Sequence, residues 1–209
     1  RQTRSLLDWM LTDHLAMNIG DIVSIENLFA SYRKWTLDKA PFASVTNELE
    51  AISATAAIEQ RLFSPKEGDP VGRFGRIANA FDVSTAMPLA IYLATEPSVA
   101  PRLTEAFNIL ESYILRRDIC GLTTKNYNRF FASLIPRLRT CDDDKVDELS
   151  AYLSGRVSDT DRWPDDAEWE RNWVMREQYR SARQPRLRYI LETIERAKHT
   201  AKTEDIPIR

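Results

Sequence analysis

Leu103-Thr104-Glu105-Ala106-Phe107-Asn108-Ile109-Leu110-Glu111-Ser112-Tyr113-Ile114-Leu115-Arg116-Arg117 decides the fold class. Its apolar residues Leu103, Phe107, Leu110 and Ile114 recur at intervals of four, three and four. That spacing places them on one face of an α-helix; a strand would alternate every second residue. Ser98, with Pro101 three residues on, marks the start, and Gly121 marks the stop, since glycine takes the left-handed cap conformation without a Cβ penalty. Arg116 and Arg117 lie where positive charge suits the helix C-terminus.

The same periodicity extends outward in both directions. Upstream, Leu6, Leu7, Met10, Leu11 and Leu15 form one apolar face, closed by Gly20-Asp21. Ser24 reads as the N-cap of a second helix with Ile25, Leu28, Phe29, Tyr32 and Trp35 on a stripe, broken at Pro41. Ser44, followed by Asn47-Glu48, opens a third through Leu49, Ile52 and Leu62. The Pro- and Gly-containing run Ser64–Pro70 is the clearest loop. It divides an N-terminal helical subdomain (1–63) from a main helical domain (72–209), with 64–71 as the connecting loop. Helices follow from about Gly72 to Phe81 and from about Ser84 to Thr95, the latter with Pro88 near its first turn.

Downstream, Thr123 or Thr124 caps a helix carrying Tyr127, Phe130, Phe131, Leu134 and Leu138. Asp142-Asp143-Asp144 reads as the acidic first turn of the helix of Val146, Leu149, Tyr152 and Leu153. Trp163-Pro164-Asp165-Asp166 turns into Trp169 and Trp173, and a last helix runs from about Pro185 to His199 with Leu187, Ile190, Leu191 and Ile194 inward. No alternating strand pattern and no internal repeat is found. The expected fold is all-α, a multi-helix bundle of about eight to ten helices.

Composition narrows the function classes. With 29 basic and 31 acidic residues the net charge is −2, so any nucleic-acid surface must be local. Cys120 and Cys141 have no CxxC partner, which argues against a disulfide framework or zinc site and fits a reducing, cytoplasmic setting. No apolar run approaches the roughly 20 residues of a membrane span. The start at Arg1 without methionine, and the strand-like Ile206-Pro207-Ile208-Arg209, are read as the ends of a piece of a longer protein.

Catalytic patterns are incomplete. His14 and His199 sit far apart in the sequence in polar helical settings and read as surface residues, not as the base of a nucleophile site. No HxxxH, CxxC or HxxE spacing is present to hold a metal. Asp142, Asp143, Asp144 and Asp147 lack the glycine and distal glutamate of an EF-hand loop. Gly72-Arg73-Phe74-Gly75-Arg76 lies near a helix start but has no GK[ST] ending, so loop-to-helix packing is its simpler reading. No catalytic, cofactor-binding or metal-binding residue is assigned.

The basic–aromatic stretch between Arg116 and Arg139 has one acid, Asp118. Arg116, Arg117, Lys125 and Arg129, with the amide donors Asn126 and Asn128, are the candidate contacts to DNA phosphates. The competing reading makes Tyr127, Phe130 and Phe131 core and the cations a solvated ring around it, with the junction locking the turn.

The run Leu110–Asn128 is similar to a signature of GmrSD-type restriction proteins, which resemble modification-dependent (type IV) endonucleases and related anti-phage factors. Asn79-Ala80-Phe81-Asp82-Val83-Ser84-Thr85 with Pro88-Leu89, the Arg162-Trp163-Pro164-Asp165 turn, and Arg186-Leu187-Arg188-Tyr189-Ile190-Leu191-Glu192 fit the same resemblance, in the same order. The resemblance implies a protein with an N-terminal ParB-like nucleotide-hydrolysing domain, marked by an Asp-Gly-Gln-Gln-Arg motif. It also implies a terminal HNH-like nuclease domain that uses a histidine and a divalent metal. Neither motif occurs in this chain. The expectation is therefore a helical middle region that partners the flanking NTPase and nuclease domains, itself without cofactor, while the parent uses an NTP and a metal. The rival expectation is a free-standing helical protein-interaction module with no nucleic-acid role.

Overall fold

The computed structural model describes residues 5–66, 68–181 and 184–198. Among them lie helices α1 (Leu6–Ile19), α2 (Leu28–Lys39), α3 (Val45–Phe63), α4 (Pro70–Ala80), α5 (Met87–Thr95), α6 (Leu103–Ile119), α7 (Tyr127–Arg139), α8 (Lys145–Ser154), α9 (Asp166–Met175), α10 (Gln178–Ser181) and α11 (Gln184–Lys198), with short 3-10 turns before α2, α5 and α6. No described residue is in a strand. The fold is an all-α multi-helix bundle.

Helix starts follow side-chain chemistry. Ser44 Oγ accepts from the Asn47 N–H, and Asp144 accepts from Val146 and Asp147, so the acidic run caps α8. Pro88 sits in the first turn of α5. At α7 the expected threonine cap slides: Asn126 occupies the N-cap position and the Thr124 carbonyl receives the Tyr127 N–H.

The core is built on α5 and α6. Leu89, Ile91 and Leu93 of α5 and Phe107, Leu110, Tyr113 and Ile114 of α6 are buried, with Phe130, Phe131, Leu134 and Leu138 of α7 against them. The Leu110–Ile114 face expected from the sequence is thus the one buried. Met17, Ile58 and Leu62 from α1 and α3 join the same cluster. At the α3–α4 crossing a Cβ on Gly75 would lie 1.9 Å from the Leu62 carbonyl oxygen. The glycines of the Gly72–Arg76 run therefore serve backbone-to-backbone packing.

Two expected faces are covered only in part or not at all. On α1 the expected Met10 and Leu15 are buried, together with His14 and Met17, whereas Leu6 and Leu7 are exposed. In α2 no residue is buried and Phe29 is 80% exposed. Tyr32 and Trp35 contact only each other, His14 and Phe42 among ring neighbours. Toward the C-terminus, Tyr189 and Ile190 of α11 are buried while Ile194 is exposed. The expectations for His199 and for both chain ends lie outside the described residues. No described helix is long and apolar enough to cross a membrane.

Candidate functional site

The turn between α6 and α7 is organised by a cation that never reaches solvent. Arg117 is fully buried. Its Nε donates to Tyr127 Oη (3.2 Å), Nη1 to the Arg162 carbonyl (2.8 Å), and Nη2 to the carbonyls of Thr123 (2.7 Å), Thr160 (3.0 Å) and Asp159 (3.3 Å). The guanidinium also lies over the rings of Tyr113 and Tyr127, 5.4 and 5.5 Å from their centroids. Carbonyl dipoles, a phenol and π faces compensate the charge; among the described residues no carboxylate pairs with it. The guanidinium's planar fork of donors makes this possible.

Neighbouring arginines extend the network. Arg116 donates to the Pro164 carbonyl (3.1 Å), pairs with Asp166 and lies over Trp163. Arg176 Nη1 donates to the Asp118 and Ile119 carbonyls at 3.2 and 2.6 Å, covering the open C-terminus of α6. That approach requires Gly121: at φ +68 a Cβ there would stand 2.5 Å from Arg176 Nη1. Arg186 joins Asp118 to the Phe81 carbonyl, and Tyr189 Oη donates to Glu111 (2.8 Å) while meeting Phe81 edge to face. Burial holds Asp118 above its ordinary range against the pull of Arg186 and Arg176, and raises Tyr127 to about 12 against that of Arg117.

The six candidate phosphate contacts therefore divide. Arg117 is internal, so its donors are not available to a phosphate; burial and five oxygen acceptors make it a structural tie. Arg116 is turned onto the loop before α9. Lys125, Asn128 and Arg129 are exposed around the start of α7, and Asn126 is half-buried at the N-cap. Asn128 Oδ1 accepts from the Arg129 N–H (2.8 Å).

A second polar cluster was not anticipated. His14, expected on the surface, is fully buried between α1 and α3, because the face of α1 that carries it is the one covered. Its Nδ1 is 2.7 Å from Thr55 Oγ1, and Thr55 also bonds the Ala51 carbonyl. Burial lowers the pKa of His14, favouring the neutral ring. Near it, Asp13 of α1 and Glu59 of α3 stand close enough for their carboxyls to interact. Asp13 is raised to about 8, by burial first and then by the Glu59 charge; burial raises Glu59 to about 7. Burial thus favours the protonated form of both carboxyls. Asp13 also lines a cavity of about 440 Å³ walled by α1, the end of α3, the turn into α5, and α7. Among the described residues no group of three or more His, Cys, Asp or Glu is placed to hold a metal.

Comparison with known proteins finds no matching family model, curated protein or solved structure.

Proposed function

We propose that the chain is the helical connector of a GmrSD-like, nucleotide-dependent DNA restriction protein, holding an NTPase domain and a nuclease domain in fixed relation. One observation carries this reading. All four stretches that resemble the family meet at the arginine junction: Phe81 through Arg186, Glu111 and Asp118 through Tyr189 and Arg186, and Arg162 through Arg117. Signature residues turned inward serve a rigid fold, which is what a connector needs. The nucleotide and the divalent metal belong, on this reading, to the flanking domains.

DNA contact rests on Lys125 and Arg129, which are exposed and carry no ion pair among the described residues. Such contact is to phosphates, weak and indifferent to sequence. A salt titration of DNA binding tests it. Replacing both residues by alanine should flatten the dependence on log salt by about one unit per lost contact, with the fold intact. Unchanged affinity and slope in a folded double variant would remove the DNA contact. The purified chain should neither cut DNA nor hydrolyse GTP or ATP; cleavage abolished by a point substitution within it would overturn the connector reading. Exposed Phe29, Leu37, Val45 and Leu49 on α2 and α3 favour a second reading, a protein-interaction module without a nucleic-acid role. Absence of any DNA binding at low salt would select it.

A further inference from the structure

The Asp13–Glu59 pair takes no part in the arginine junction. Glu59 is only 8% exposed, its Oε1 has no hydrogen-bond partner, and among the described residues no lysine or arginine compensates either carboxyl. Buried charge in proteins is ordinarily paired or bound to a ligand. Of the two carboxyls, that of Asp13 lines a cavity that a partner can enter. The cavity that Asp13 lines is mostly apolar elsewhere, with Trp9, Ile22, Phe63, Met87 and Pro88. Its volume of about 440 Å³ falls within the roughly 300–1,000 Å³ of small-molecule sites.

We propose that this cavity binds a small organic cation, with an ammonium-like group on the Asp13 carboxyl and an apolar body against Trp9, Phe63, Met87 and Pro88. The ammonium supplies the Asp13 carboxyl with a cationic partner, and any proton that carboxyl holds leaves to solvent. An anion is disfavoured, since Asp21 stands in the same wall. A bare divalent metal is also disfavoured, because it requires about six oxygen ligands where the cavity offers mostly hydrocarbon.

The test is calorimetric titration of the whole chain with 4-phenylbutylammonium, 4-phenylbutanol and 4-phenylbutyrate, which share one body and differ in charge. The ammonium should bind at least about tenfold more tightly than the alcohol, as a charge-assisted hydrogen bond implies, and the carboxylate should not bind. Asp13→Asn should bring ammonium and alcohol level. Equal binding of ammonium and alcohol to the wild-type chain would make the cavity a plain apolar docking face and overturn the proposal. Absence of ammonium binding at millimolar concentration would overturn it as well. Both comparisons hold even where the variant fails to fold.

Discussion

At the α6–α7 junction the buried Arg117 guanidinium meets five oxygen acceptors, whereas between α1 and α3 the half-buried Asp13 and the buried Glu59 have no cationic partner among the described residues. The packing differs in the same way. Helix α6 buries Phe107, Leu110, Tyr113 and Ile114 together with its arginine, while α2, beside the acid pair's helices, buries nothing. A buried charge ringed by dipoles acts as part of the scaffold. One left to a proton is sensitive to pH and to cations. The first region is built to stay the same, and the second is open to change.

The largest test of this contrast falls on Arg117. Arg117→Met should lower stability by at least about 3 kcal/mol, because several buried carbonyls lose their donor at once. Arg117→Lys should rescue little, since an ammonium's three donors cannot span the same acceptors. Urea denaturation measures both, and a loss under about 1 kcal/mol would dissolve the distinction between the regions. Leu110→Ala, in the apolar part of the same region, should cost roughly 2–5 kcal/mol by cavity formation, read in the same melts.

A pH series sharpens the other side. The folded state keeps protons on Asp13 and Glu59 that the unfolded chain has released, because both pKa values are raised. The pair's own contribution to stability is therefore fully present below the ordinary carboxylate range and is lost as pH rises through about 7 to 8. His14, held neutral by burial, works in the opposite sense only below its ordinary 6.5. Between pH 6.5 and 9 the melting temperature should fall by roughly 3 °C or more, and Asp13→Asn should flatten the slope. A wild-type melting temperature that is constant over that range would show the pair to be ordinary solvated carboxylates. The smallest effect belongs to α2: Phe29→Ala should change stability by less than about 0.5 kcal/mol, and a larger loss would mean that α2 is packed.

Legibility followed the range of the interactions. Leu103, Phe107, Leu110 and Ile114 announced α6 by spacing alone, and Ser44 and Asp144 marked helix starts because capping is local. The stripe of Ile25, Leu28, Phe29, Tyr32 and Trp35 also marked a helix, but spacing says which residues share a face and not whether anything covers it. Arg117 stands three residues beyond Ile114 on the buried stripe, a signal that its charge is internal. Asp13 and His14 follow Met10 at three and four residues, and Glu59 precedes Leu62 by three, so all three lie along the inward faces. For His14 a polar helical setting had argued for solvent, and Asp13 and Glu59 drew no reading at all. Arg176 and Arg186 left no such trace, since their partners lie 57 to 105 residues away.

The chain distances inside the Arg117 junction also impose an order on folding. Thr123 and Tyr127 lie six and ten residues from Arg117, while Asp159, Thr160 and Arg162 lie 42 to 45 away. Closing the short turn sacrifices little chain entropy, so those two acceptors are engaged as soon as α6 and α7 meet. The other three arrive only when the chain beyond α8 folds back. Until then the guanidinium needs water, and the closing strap must strip that water away. Replacing Arg117 should therefore accelerate unfolding far more than it slows folding, and the molecule owes its lifetime in the native state to a contact made at the end.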